Sequence, residues 1–278
     1  MTDTFGARLR AALDTRGPLC AGIDPHSALL SAWGMGDDVA GLERFAGTVV
    51  EALADRVAVL KPQSAFFERF GSRGIAVLER TVADARSAGA VVIMDAKRGD
   101  IGSTVEAYAQ AYLDSSSPLF ADALTASPYL GYGSLEPLYA TAEKHGAGVF
   151  VLAFTSNPEG ARVQRARTED GTTVGAGILA QAAERNAGAR PLGPIGAVIG
   201  ATLTDVPFDL GGLNGAVLAP GLGAQGATPD GLRKIFGDAL RNVVPSMSRE
   251  LLRHGPDVSA LRDAAARSVE ECRRALGY

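Results

Sequence analysis

The sequence predicts a single (β/α)₈ TIM barrel over residues 1–278, with an extra helix at its N-terminus. Three observations predict it. Short apolar, β-branched runs recur eight times, and Ala-rich stretches of helical spacing separate most of them. Alternating strand and helix argues for parallel βαβ units. The runs are nearly continuous in apolar residues, as strands are when helices cover the sheet. Eight such units in 278 residues argue for a closed barrel over an open doubly wound sheet.

Along the chain, Phe5–Asp14 reads as the extra helix. The strand runs follow at Leu19–Pro25, Val57–Gln63, Ala90–Lys97 and Ala121–Pro128. They continue at Ala147–Pro158, Ile195–Thr202, Gly215–Gly226 and Arg241–Arg249. Stretches such as "GIAVLERTVADARSAG" and "SLEPLYATAEKHG" supply the helices between them. One region is irregular. Glu159–Gly177 holds a Glu-Asp-Gly turn between short polar runs, which predicts a small hairpin or long loop before the helix "ILAQAAERN". No repeat, linker or low-complexity segment interrupts the pattern.

Composition narrows the function classes. A net charge of −4 leaves no basic footprint for nucleic acid or an anionic membrane surface. No apolar run approaches the ~20 residues of a bilayer span. Met1–Arg10 is polar and amphipathic, unlike a signal peptide. Cys20 and Cys272 make no metal-type or disulfide-type spacing, so a reducing cytoplasm is the expected setting.

The polar groups sit at the strand ends. Asp24 closes run one, Lys61 run two, and Asp95 and Lys97 run three. Ser127, Ser156, Pro220 and Arg249 close runs four, five, seven and eight. In a barrel these ends gather at the face where active sites are built. By strand alternation, Asp95 and Lys97 share a side above Ile93, and Lys61 sits above Val59 and Val57. Two lysines and two carboxylates can then alternate, each carboxylate with an ammonium partner and no need of a metal. Burying such an array is costly. Charge and burial together suit proton transfer; the bland alternative is a solvated salt-bridge cluster. Asp100 lies past the strand in a Gly-containing turn, followed by "STVE" (Ser103–Glu106), which reads as a capping box. Asp100 therefore either supports that helix start or faces a partner subunit.

"APGLGAQG" (Ala219–Gly226) ends run seven. Its glycines let backbone N–H groups approach an anion. The loops after strands seven and eight are a frequent phosphate site in such barrels. Arg249 can add a bidentate contact and Gln225 an amide, against the plainer reading of a tight turn and a surface arginine. His26, His145 and His254 form no triad or ligand cluster, and Trp33, Tyr129 and Tyr132 read as packing at least as well as binding.

"DAKRGDIGST" resembles the D-x-K-x-x-D signature of the orotidine 5′-phosphate decarboxylase family, in its longer bacterial form. "GIDP", "LKPQSAFFE", "SPYLGYGS", "TSNPEGA", "APGLGAQG" and "SRE" extend the resemblance over nearly the whole chain. It implies decarboxylation of orotidine 5′-monophosphate to UMP, the last step of de novo pyrimidine synthesis, with no organic cofactor and no metal. It implies that Lys97 protonates C6 while Asp95 and Asp100 hold the ammonium. It implies a homodimer in which Asp100 and Ile101 act across the interface and Thr104 lies near the ribose. Asp24 and Lys61 would orient the ribose, Ser156 would read the base, Arg249, Gln225 and the glycine turn would hold the phosphate, and Pro220 would belong to the substrate-binding set. Ser156 fits the base-reading serine better than Ser127 by its "SNPEGA" context. The stretch after Pro158 and the loop after Pro220 are the candidate lids. Relatives that bind Mg²⁺ and act on sugar phosphates share D-x-K-x-x-D, but carry Glu where this chain has Lys61. A non-catalytic phosphate-binding barrel is the rival from another class.

Overall fold

In the computed structural model, which describes residues 4–221 and 229–278, eight parallel strands close in sequence order into a barrel. They are β1 (Cys20–Ile23), β2 (Val59–Pro62), β3 (Val91–Arg98), β4 (Ala123–Ala126), β5 (Gly148–Phe154), β6 (Ile195–Ile199), β7 (Val217–Pro220) and β8 (Val243–Met247). Each lies inside one of the eight apolar runs except β3, which extends one residue past its run to Arg98. Helices α1 (Phe5–Arg16), α2 (Ser27–Ala32), α3 (Val39–Leu53), α4 (Ser64–Glu68), α5 (Gly71–Ser87) and α6 (Gly102–Leu113) accompany the first half. Helices α7 (Glu136–His145), α8 (Ala161–Gln164), α9 (Val174–Arg185), α10 (Pro229–Phe236), α11 (Arg249–Leu252) and α12 (Val258–Leu276) accompany the second.

Strand alternation divides the core in two. Cys20, Val59, Val91, Ile93, Ala123, Phe150, Val198, Leu218 and Val244 form the inner cluster. Ala21, Leu60, Val92, Met94, Leu124 and Val151 belong to the outer cluster with the surrounding helices. The inner cluster also contains Phe5, Leu9 and Leu13 of α1. Phe5 packs edge-on against Phe150 at 6.1 Å, so the extra helix plugs the barrel floor. Thr4 caps it by accepting from the Ala7 N–H.

Three local expectations change. Val57 precedes β2 and joins the outer cluster, so only Val59 of the pair lies inside below Lys61. Helix α6 starts at Gly102 with Ile101 as its N-cap, so Ser103–Glu106 forms no capping box. Asp100 Oδ1 instead accepts from the Ile101 N–H (2.8 Å), and Gly102 turns the chain at φ +56°. The irregular region resolves into α8 and a short hairpin paired at Arg167 and Thr173, after which α9 begins at Val174, four residues before the expected start.

Candidate active site

The strand-end residues meet at the C-terminal mouth of the barrel. Asp95 is the centre of the arrangement and is buried. Its Oδ2 accepts from Lys61 Nζ at 2.8 Å, and its Oδ1 from Lys97 Nζ at 2.6 Å. The hydroxyl of Thr125 donates to the same Oδ1 at 2.9 Å. Lys61 is buried, whereas the side chain of Lys97 is 46% exposed and opens to the mouth. The expected array is therefore a chain, Lys61–Asp95–Lys97. Asp24 adds to it by raising the Lys61 pKa through charge, without an ion pair.

The electrostatics follow from this geometry. Burial alone would raise the Asp95 carboxyl pKa. The charges of Lys61 and Lys97 and their hydrogen bonds outweigh burial, and hold it well below the usual carboxylate range. Burial alone would lower Lys61; Asp95, then Asp24, outweigh that and push it above the usual lysine range. Both groups are thus charged across the physiological range.

The β3 backbone explains how Lys97 reaches this position. Met94 pairs with Leu124 and Arg98 with Ala126, so β3 spends four residues where β4 spends two. The surplus arches at Lys97, whose φ is +48°. A non-glycine residue held there stores about 1–3 kcal/mol of strain, and such strain concentrates at functional sites. Thr125 holds the arch, since its hydroxyl also accepts from the Lys97 N–H at 3.0 Å. Sequence reading missed Thr125. Its only signal is one hydroxyl in an otherwise apolar strand, at the parity of the inward-facing Ala123. Arg98 turns the other way, to Glu68 of α4 (2.5 Å) and Tyr112 of α6 (3.2 Å).

Asp100 makes no ion pair among the described residues, and one oxygen is used by its own loop. Ile101 is 61% exposed, and Thr104 is exposed on the first turn of α6. Ser156 lies two residues past β5, exposed and packed near Gly200 at the end of β6. Ser127 follows β4, where its N–H donates to the Arg98 carbonyl. Pro220 ends β7 beside Ser246 of β8, and Arg249 opens α11 two residues past β8, exposed and without an ion pair among the described residues. Gln225 and the glycine turn around it lie outside the described residues, as does most of the candidate lid after Pro220.

Two further polar side chains, Ser248 and Asp24, approach Gly22. A Cβ on Gly22 would meet Ser248 Oγ at 3.0 Å and Asp24 Oδ2 at 3.3 Å. Ser248 Oγ and Asp24 Oδ1 are buried without a hydrogen-bond partner in the protein. Leaving such atoms unsatisfied costs about 1–3 kcal/mol each. Ser248 was also missed; it stands directly before Arg249. Among the described residues no group of three His, Cys, Asp or Glu has the geometry to hold a metal ion. Both oxygens of Asp95 are already taken by lysines.

Comparison with known proteins adds the chemical context. The model of the orotidine 5′-phosphate decarboxylase / HUMPS family matches residues 17–264. An orotidine 5′-phosphate decarboxylase of Streptomyces coelicolor is 67% identical over 275 residues, 99% of each chain. One from Salinispora tropica is 62% identical over 274 residues, again 99% of each. A solved chain from Streptomyces avermitilis superposes with a TM-score of 0.94 at 64% identity, covering 99% of this chain and 97% of that one. The OMP decarboxylase of Leishmania donovani superposes at 0.77 with 29% identity, covering 99% and 100%.

Proposed function

The chain belongs to the orotidine 5′-phosphate decarboxylase / HUMPS family, and from that premise we propose that it converts orotidine 5′-monophosphate to UMP and CO₂ at the Lys61–Asp95–Lys97 chain. That chain carries the reading. The bond from C6 of the pyrimidine to its carboxylate breaks, its electron pair stays on C6, and CO₂ leaves. The Lys97 ammonium gives a proton to C6, and the resulting amine is reprotonated from water. Asp95 holds that ammonium at 2.6 Å before the reaction begins. Most of the rate enhancement then comes from fixed charges that need no reorganisation. Lys61 keeps Asp95 ionised and oriented, and Asp24 with Lys61 takes the ribose hydroxyls.

Arg249, Gln225 and the glycine turn that follows Pro220 hold the phosphate, and Ser156 reads the base edge. Binding energy from the phosphate, far from C6, is then expressed in the chemical step. The occupied oxygens of Asp95 and the ammonium of Lys61 favour metal-free chemistry over the Mg²⁺-dependent sugar-phosphate reactions of related barrels.

The site is completed by a second copy of the chain. The exposed Ile101, Tyr129 and Leu130 lie on two neighbouring loops, joined where Gly99 packs against Ser127. An apolar patch there suits a protein interface. A homodimer on this face carries Asp100 and Ile101 into the partner's mouth, with Thr104 beside its ribose. No helix among the described residues is long and apolar enough to cross a membrane, and a cytoplasmic setting fits two buried, free cysteines.

The test is direct. Purified protein in EDTA should consume orotidine 5′-monophosphate, followed by its absorbance, and release one UMP per substrate. No turnover, or turnover of a sugar phosphate only when Mg²⁺ is restored, would overturn this reading.

A further inference from the structure

Strand β5 ends at Phe154, whose carbonyl accepts from the Gly200 N–H just past β6 at 2.8 Å. The next N–H, that of Thr155, finds its acceptor in a side chain. Gln164, the last residue of α8, takes it on Oε1 at 2.8 Å, and its Nε2 donates to the Thr155 hydroxyl, also at 2.8 Å. One amide thus grips the same residue twice. The Thr155 hydroxyl donates onward to Asn157 Oδ1 at 2.6 Å, and Asn157 Nδ2 donates to Glu159 at 3.0 Å. Gly160 packs onto this network: a Cβ there would lie 2.7 Å from Thr155 Oγ1 and 3.1 Å from Gln164 Nε2.

The far side of the grip is anchored as well. Arg165, directly after Gln164, meets the two carboxylate oxygens of Asp205 at 2.9 and 3.1 Å and the Asp205 carbonyl at 3.1 Å. Its guanidinium also lies over the Phe154 ring, 5.8 Å from the centroid. No residue from Thr155 to Gln164 is buried, so hydrogen bonds rather than core packing set the shape of this segment. Ser156 stands between Thr155 and Asn157, both of them held. Gly200 closes another side, since a Cβ there would lie 3.0 Å from the Ser156 nitrogen.

We propose that Gln164 is a positioning residue for base recognition. By gripping Thr155 it sets the place of Ser156, and with it the preference of the mouth for a ligand that carries a pyrimidine over the bare sugar phosphate. This rests on the reading of Ser156 as the base contact. A site built to hydrogen-bond one group discriminates only while that group is held in hydrogen-bond geometry. The ribose and phosphate contacts stand elsewhere, after β1, β2, β7 and β8, so loss of the grip leaves them in place.

Affinities for UMP and for ribose 5-phosphate, which lacks the base, separate the two contributions. By calorimetry, Gln164→Ala should bind UMP about tenfold more weakly, the scale of one hydrogen bond, with ribose 5-phosphate unchanged. Gln164→Glu keeps an acceptor for the Thr155 N–H and should recover part of the loss. Ser156→Ala should weaken UMP by a similar factor. The double variant Gln164→Ala/Ser156→Ala should bind UMP no more weakly than Ser156→Ala alone. Native UMP affinity in Gln164→Ala, a loss common to both ligands, or losses that multiply in the double variant would overturn the proposal and leave the base-edge reading of Ser156 standing. Native UMP affinity in Ser156→Ala would overturn that reading, and the proposal with it.

Discussion

Lys61 Nζ lies 2.8 Å from Asp95 Oδ2, with both side chains buried. Neither charge could be held there without the other. Removing one partner of a buried pair leaves an uncompensated charge and costs about 3–5 kcal/mol, whereas replacing both by apolar groups is often neutral. Lys61→Met should therefore lose stability on that scale in urea unfolding, as well as decarboxylation. The double variant Lys61→Met/Asp95→Leu should recover much of the stability and none of the activity. A double variant no more stable than Lys61→Met would show that the pair is not energetically coupled.

The same pair sets a pH window. The folded Asp95 pKa is depressed, so its contribution is present above the unfolded value of about 3.9 and is lost as pH falls through the lower folded value. The folded Lys61 pKa is raised, so its contribution is present below the unfolded value of about 10.4 and is lost as pH rises through the higher folded one. The stability difference between the native protein and the double variant should be constant between about pH 5 and 9. It should shift against the native protein at both extremes. Urea midpoints measured across this range check it; a midpoint difference that changes steadily near neutrality would contradict the assignment.

Thr125 links the chemistry to the backbone, since its hydroxyl meets Asp95 Oδ1 and the Lys97 N–H together. Thr125→Val keeps the shape and strands the Lys97 N–H, at a cost of about 1–3 kcal/mol. Relaxation of the arch would move the ammonium, so kcat should fall while UMP affinity changes little. Thr125→Ser should restore kcat. Equal losses in kcat and in UMP affinity would mean that Thr125 only supports the fold.

How much of this the sequence carries depends on the residue. The strands were legible because both faces of each are buried, so nothing polar interrupts the runs before the mouth. The common side of Asp95 and Lys97 followed from alternation, and the 2.6 Å contact agrees with it. The means did not follow, because the left-handed Lys97 and the uneven β3–β4 register depend on the neighbouring strand. Ser103 looked like a cap because it stands three residues before Glu106; Gly102 and the Asp100 side chain start the helix earlier. Partners such as Thr125 and Ser248 emerge only when the strands are set side by side.

Gly99 fixes where Asp100 begins. A Cβ there would lie 2.2 Å from the Ser127 carbonyl oxygen, backbone against backbone, so the loop must shift. A displacement near 1 Å at a catalytic group can cost about 10²-fold in rate. Gly99→Ala should lower kcat/KM on that order, with normal folding by circular dichroism. Native kinetics in this variant would show that the loop tolerates the shift or that Asp100 is not needed.

Lys97 and Asp100 stand three residues apart, yet in one chain they make no ion pair. If Asp100 serves the partner's mouth, the two defects belong to different sites. Lys97→Ala removes the proton donor and should cost about 10²–10⁴-fold or more, with UMP binding largely kept. Asp100→Ala should be comparably inactive. Mixed, unfolded and refolded together, the two should regain activity. A heterodimer holds one mouth with both defects and one mouth intact, so an equimolar mixture should approach a quarter of native activity. Refolding each alone should regain none. A mixture that stays inactive, although mass spectrometry finds the heterodimer, would place Asp100 in the mouth of its own chain.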